Sequence, residues 1–260
     1  MDLQLKELEK RDNYLIFQAN NLARAFGNLT SFEHKVLDFA FSFVQKDDDK
    51  RKMYHSNIID LIHYLGLNAS GDSYKRVLNA FKALNTRTPL YIPTVDEEGN
   101  RGVIMTTLFD HVGAYENGKV EFRYSEDVQP YVFHLRKNFY AFSLKELARA
   151  KSKYTIIMLK LWNSNVSGWH DYENPNDLPP NVTINGTVKE WEDWFLGKDE
   201  NGETLKWSPG TFKHNVLLRV QKEIESLYPK MQMEIITQKR GRKTVGYQVN
   251  IFQFHTNAPV

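Results

Sequence analysis

Residues 207–254, WSPGTFKHNVLLRVQKEIESLYPKMQMEIITQKRGRKTVGYQVNIFQF, decide the fold, because an amphipathic helix runs there directly into a β-hairpin with a basic tip. Phe212, Val216, Val220 and Ile224 recur at every fourth position, and Leu217 and Leu227 fill the same arc. This spacing predicts a helix from about residue 208 to 227 with one side buried. Ser208 offers an N-cap oxygen, and Pro209 occupies the first helical position, where its missing donor costs nothing. Pro229 enforces the stop. Away from the apolar arc lie His214, Asn215, Leu218, Arg219 and Lys222, a row of donors interrupted by Leu218 on a rod about as wide as a DNA major groove. Residues 230–238 and 244–254 are rich in β-branched and aromatic side chains and read as two strands. Lys239, Arg240, Gly241, Arg242 and Lys243 form the turn between them.

Between Leu205 and Lys243 nine Lys or Arg stand against three Glu, a local charge of +6, while residues 166–204 carry nine acids against two lysines. The formal net charge of +2 therefore hides an asymmetry that a polyanion would feel as a local patch. A charged helix taken alone is most often a solvated face, and hairpin lysines often only protect a sheet edge. Helix and hairpin together, with the charge on the turn and on one helix face, have the layout of a winged helix. In that layout a recognition helix enters the groove of duplex DNA and a wing meets the phosphates.

The run Phe212-Lys213-His214-Asn215-Val216-Leu217, then Glu223-Ile224, then the basic turn 239–243 and the final alternating strand resemble the C-terminal winged helix of the Rep_3 family, the replication initiators of iteron plasmids. Members often place several arginines after the phenylalanine, where this chain has Lys213, His214 and Asn215. The stretch 139–162 resembles the opening of the same winged helix. The likeness extends from about residue 14 to 254. It implies a protein that binds directly repeated origin sites as a monomer and helps open an adjacent A·T-rich duplex. It also implies recruitment of the host initiator ATPase and replicative helicase, and dimers, formed through the N-terminal half, that repress the protein's own promoter.

The remainder of the chain fits two domains. At 260 residues, 41% hydrophobic and 25% charged, its composition is that of a soluble globular protein. The absence of cysteine excludes disulfides, thiolate metal sites and cysteine nucleophiles, and suits the cytoplasm. No apolar run approaches membrane-spanning length, so no membrane partner is expected. A short helix is expected over residues 22–26. A longer one is capped by Ser31 and carries Phe32, Val36, Leu37, Phe39, Ala40, Phe43 and Val44. It ends at an exposed acidic loop, residues 47–50. A third helix is capped by Ser56 and closed by Gly66. A fourth begins at Ser73, with Tyr74, Val77, Leu78, Phe81 and Leu84 on one side and Lys75, Arg76 and Lys82 on others. Strands are expected over residues 90–93, 102–109 and 120–124, with an Asn117-Gly118 hairpin turn. Three helices and then a hairpin repeat the winged-helix order. A helix over residues 126–135 leads to a linker at 136–138. Helices over 144–150 and 153–163, a long loop over 165–181, and a helix capped by Thr187 and closed by Gly197 follow.

The expectation is an α+β chain of two tandem winged helices. Residues 14–135 would serve dimerisation and phosphate contact, and residues 139–260 sequence-specific DNA binding. The candidate DNA-binding residues are Lys213, His214, Asn215, Arg219, Lys222, Lys239, Arg240, Arg242 and Lys243, with Lys75, Arg76 and Lys82 from the first half. No enzymatic activity, cofactor or metal is expected. Gly113 to Lys119 spells the start of a phosphate-binding loop, but Val120 stands where the magnesium-holding hydroxyl would be, and Asn117-Gly118 reads as a hairpin. The eight histidines include no pair at the i+4 zinc spacing and no His-x-His. Paired carboxylates at Asp47–Asp49 and Asp199–Glu200 read as solvated loop charges. Two alternatives stay open: a winged-helix transcriptional regulator without a replication role, and a relaxase-type nicking enzyme, against which the histidine spacing argues.

Overall fold

The computed structural model describes residues 15–19, 28–45, 48–49, 51–86, 90–132, 139–143, 149–165, 181–197 and 203–253. The first half opens with β1 (Leu15–Ala19) and α1 (Ser31–Phe41). Ser31 is the first helical residue and the cap is Thr30, whose hydroxyl accepts from the Glu33 N–H at 3.3 Å while the Glu33 carboxylate accepts from the Thr30 N–H at 2.8 Å. This reciprocal pair satisfies two otherwise orphaned donors, which Ser31 with His34 three residues on could not do. A strand the spacing does not reveal, β2 (Tyr54–Asn57), runs straight into α2 (Ile58–Tyr64). The cap of α2 is therefore Asn57 rather than Ser56, and the Ile58 N–H is taken by the Gly118 carbonyl at 2.8 Å. Gly66 closes α2 with φ +65°. The next helix, α3 (Gly71–Thr86), begins two residues before Ser73, because the Ser70 hydroxyl accepts from the Ser73 N–H at 3.2 Å.

Four strands follow: β3 (Leu90–Val95), β4 (Arg101–Thr106), β5 (Phe109–Ala114) and β6 (Lys119–Tyr124). The single strand expected over residues 102–109 is broken before Phe109. There the Leu108 carbonyl accepts from the Ser125 N–H at 3.0 Å, and the Thr107 carbonyl from the Ser125 hydroxyl at 2.5 Å. β3 and β4 pair as a separate hairpin, and the other strands form an antiparallel sheet in the order β2-β6-β5. Val120, Phe122 and Tyr124 are fully buried, as their alternation requires. Only Gln129–Val132, α4, is helical within the described part of the helix expected over 126–135. The acidic loop is not wholly solvated either. Asp48 is 7% exposed and accepts from the Tyr54 hydroxyl at 2.8 Å, the Gln45 N–H at 2.8 Å and the Lys52 ammonium at 2.5 Å.

The second half comprises β7 (Phe139–Ser143), α5 (Lys153–Asn165), β8 (Val182–Thr187), α6 (Val188–Phe195), a long helix α7 (residues 209–227), β9 (Met231–Arg240) and β10 (Lys243–Gln253). The sheet order is β8-β10-β9, antiparallel throughout. Thr187 caps α6 in a capping box with Glu190, as the sequence implies. The expected helix at 22–26, the linker at 136–138, residues 144–148 of the expected helix at 144–150, most of the loop at 165–181 and Asp199–Glu200 lie outside the described residues.

The halves share one core. β7 pairs with β1 across the length of the first half, from Leu15 opposite Ser143 to Ala19 opposite Phe139. α5 is buried nearly all round, with Ile156, Ile157, Met158, Leu159, Leu161 and Trp162 all at most 1% exposed, the signature of a helix packed on more than one side. It packs on α1 from the first half and on β8 and the C-terminal portion of α7 from the second. Its Lys160 ammonium lies 2.6 Å from the Asp38 carboxylate of α1, with both side chains inaccessible to solvent.

Candidate DNA interface

α7 consists of Pro209–Phe212, a π-helical turn Lys213–Leu217, and Leu218–Leu227. Ser208 caps it, accepting from the Thr211 N–H at 3.2 Å, and Pro209 holds the first position. Phe212, Val216, Leu217, Val220 and Ile224 are fully buried. His214, Asn215, Arg219 and Lys222 are exposed along the other side, with Leu218 half-buried between them. Lys213 is turned elsewhere: it is half-buried, and its ammonium donates to the Thr237 hydroxyl of β9 at 3.0 Å.

A set of hydrogen bonds not evident in the sequence fixes α7 against the sheet. The Tyr247 hydroxyl donates to the Pro209 carbonyl at 2.5 Å, and the Trp207 N–H to the Glu192 carboxylate of α6 at 2.9 Å. Gln221 donates to the Met233 carbonyl at 2.6 Å while Glu225 accepts from the Met233 N–H at 3.2 Å, so one helix face satisfies both outward backbone groups of β9 there. Glu223 reaches the other way. Its carboxylate accepts from the Lys151 and Ser152 N–H groups and, at 2.6 Å, from the Thr155 hydroxyl, and so caps α5. The only advance signal for these positioning residues was the polar character of residues beside the apolar arc.

The hairpin is tighter than its five-residue basic run suggests. Arg240 pairs directly with Lys243 and Lys239 with Thr244, leaving Gly241 and Arg242 as a two-residue turn with Gly241 at φ +61°. A register shift follows between Thr244 and Gly246. At Gly246 an added Cβ would collide with the Gly186 carbonyl, so the bulge requires glycine. Lys239, Arg240, Arg242 and Lys243 are all exposed. By strand alternation Lys239 shares the face of Thr237, toward α7, and Arg240 and Lys243 occupy the other. Among the described residues, Arg219, Lys222 and these four cations enter no ion pair. Their charge is therefore available to a polyanion.

In the first half Lys75, Arg76 and Lys82 are exposed on α3. Lys75 and Lys82, seven residues apart, share a face, whereas the Arg76 guanidinium sits 4.0 Å from the centroid of the Phe32 ring. Gly113 lies within β5 and Gly118 in the following turn at φ +81°, which is hairpin geometry. On the outer face of that sheet the Glu121 carboxylate meets the Tyr115 hydroxyl at 2.5 Å, His111 at 3.0 Å and His55 at 3.5 Å. Hydrogen bonds from Tyr115 and His111 hold its pKa below the usual carboxylate range. Among the described residues no group of three such ligands is arranged to hold a metal ion, and no helix is long and apolar enough to cross a membrane.

Two antiparallel three-stranded sheets, each packed with helices, define a tandem winged-helix fold, with an exposed helix face beside a cationic hairpin in the second half. Residues 15–163 match the family described as Initiator Replication protein, WH1, and the chain belongs to that family. The fold is shared with the Pi initiator protein, crystallised in complex with iteron DNA. The two superpose with a TM-score of 0.71 at 16% identity, over 94% of this chain and 99% of that one. A structure of domains 2 and 3 of RctB aligns with a TM-score of 0.43 at 12% identity, over 90% of this chain and 81% of that one. No curated protein sequence matches the chain.

Proposed function

We propose that this protein initiates plasmid replication by binding directly repeated duplex sites, iterons, at its origin. The observation that carries the reading is the pairing of an exposed His214, Asn215, Arg219 and Lys222 row with a hairpin tip of four exposed cations. His214 and Asn215 lie early in α7, where a recognition helix usually meets base edges, and Asn pairs bidentately with adenine. Arg219 and Lys222 follow one and two turns later. The wing residues Lys239, Arg240, Arg242 and Lys243 touch phosphates and set affinity rather than sequence. Lys75 and Lys82 of α3 add phosphate contacts, with Arg76 beside them on Phe32. Family membership supports the initiator role, and the shared fold of the Pi initiator, crystallised on iteron DNA, supports iterons as the target.

Residues 139–260 act as the sequence-reading domain. Residues 14–135 act as the domain for dimerisation and phosphate contact. The monomer binds iterons in the cytoplasm, promotes opening of an adjacent A·T-rich region, and recruits the host initiator ATPase and replicative helicase. Dimers repress the protein's own promoter. Deformable A·T-rich steps make opening by several bound initiators physically reasonable.

A footprint of the full-length protein over the DNA flanking its own gene tests this reading. Protection of a tandem array of direct repeats is expected. Protection of a single operator only, with no maintenance of a plasmid carrying that DNA, would instead establish a transcriptional regulator.

A further inference from the structure

The fourth-residue spacing of Phe212, Val216, Val220 and Ile224 does not fit a straight α-helix. At 3.6 residues per turn each step of four advances by about 40°. In an uninterrupted α-helix those four, with Leu217 and Leu227, would therefore spread over about 140°, and Lys213 would lie in the middle of the buried arc. The structure resolves the conflict with one extra residue in one turn: the Leu218 N–H bonds to the Lys213 carbonyl five residues back. A π turn of this kind narrows the apolar residues to about 80°. The same slip gathers His214, Asn215, Leu218, Arg219 and Lys222 within about 100°, against about 140° in a straight helix. It also moves Lys213 to the flank of the buried arc, where its ammonium reaches Thr237 on β9 at 3.0 Å. Burying that ammonium in the apolar arc instead would carry a large desolvation penalty.

We propose that the π turn, held by the Lys213–Thr237 hydrogen bond, sets the rotational phase between His214–Asn215 and Arg219–Lys222, and that Lys213 is a specificity-determining positioning residue rather than a DNA contact. This rests on α7 being the base-reading helix. The wing strand thereby takes part in sequence selection without touching a base. π turns are mostly single-turn insertions in α-helices and concentrate at functional sites, where the extra residue re-aims its neighbours.

The test is a selection from a random duplex library with full-length protein in six forms: wild type, a deletion of Lys213, Thr237→Val, Thr237→Ser, Asn215→Ala and Arg219→Ala. Removing Lys213 takes out the extra residue and keeps the apolar arc, but turns His214 and Asn215 by about 35–55° relative to Arg219. The selected motif is expected to change at the base pairs that Asn215→Ala relaxes. Affinity for the wild-type motif should fall about tenfold or more, the scale of one lost bidentate pair. Affinity for unrelated duplex should stay within about twofold, since phosphate contacts carry it. Thr237→Val, nearly isosteric, removes only the acceptor and is expected to weaken preference at the same base pairs, with Thr237→Ser restoring it. If the deletion variant does not fold, the two Thr237 variants decide. The wild-type motif at unchanged affinity from the deletion, or from Thr237→Val, while Asn215→Ala does relax the motif, overturns the proposal alone. A motif indifferent to Asn215→Ala and to Arg219→Ala overturns base reading by α7, and the proposal with it.

Discussion

Replacing Lys239, Arg240, Arg242 and Lys243 together by Ala removes the whole charge of the wing tip while leaving its turn, set by Gly241, intact. All four are exposed, and among the described residues none is held in an ion pair, so the loss should act on DNA binding rather than folding. Each phosphate contact contributes about 0.9 to the slope of log affinity against log salt. Lys239 lies on the α7 face of the hairpin, and Arg240 and Lys243 on the opposite face, so between two and four of the cations reach phosphates at once. The slope should flatten by about 1.8 to 3.6. Over a fourfold rise in salt, from about 50 to 200 mM, wild-type affinity should fall about 12- to 150-fold more than that of the variant. Fluorescence anisotropy titrations on an iteron duplex and on unrelated duplex at several salt concentrations measure this. Both affinities should drop together. An unchanged slope with loss of sequence preference alone would refute the assignment of these residues to phosphates.

Other variants probe the frame that holds the helix. Lys160→Met strands Asp38 in the shared core without this cation, and denaturant unfolding should show a loss of about 3–5 kcal/mol, most of it recovered by adding Asp38→Leu. Equal losses in the single and double variants would remove the pair from the account. Glu223→Ala strips the acceptor from the Lys151 and Ser152 N–H groups and should cost about 1–2 kcal/mol by the same measurement; no loss would argue against capping. Burial pushes the Asp48 carboxyl pKa up, but hydrogen bonds from Lys52, Gln45 and Tyr54 outweigh it, so the folded pKa is lowered. Its contribution is therefore present above the unfolded pKa of about 3.9 and is lost as pH falls through the folded value. The stability advantage of wild type over Asp48→Asn should shrink in that acid range, and an advantage constant from neutral to low pH would contradict it.

Much of α7 and its hairpin was legible because local chemistry marks them. Ser208 and Pro209 signal the start, Pro229 the stop, and strand alternation follows. The π turn was hidden in plain view, since a one-dimensional fourth-residue spacing reads as α until the drift of about 40° per step is summed. Long-range features left weaker traces. β1 pairs with β7 about 120 residues later, and short strands of that kind carry little periodicity. The apolar spacing of Ile157, Met158, Leu161 and Trp162 in α5 marks a core helix but does not say how many partners it has. Asp48 sat in a run of acids, and only the fold brings Tyr54 to it at 2.8 Å. Within the candidate site, the exposed donors were readable from their place opposite the apolar arc. Lys213 was not separable from them without Thr237, whose position depends on hairpin register.

The most direct test of the account is the DNA motif selected from a random duplex library by the full-length protein, compared with that selected by Asn215→Ala. The wild type should select one motif, occurring as direct repeats at the plasmid origin. The variant should select the same motif, relaxed at one or two base pairs, with about 1–3 kcal/mol less discrimination there and nearly unchanged non-specific affinity. Recovery of no motif, or of one that substitutions along the exposed face of α7 leave untouched, would contradict the account.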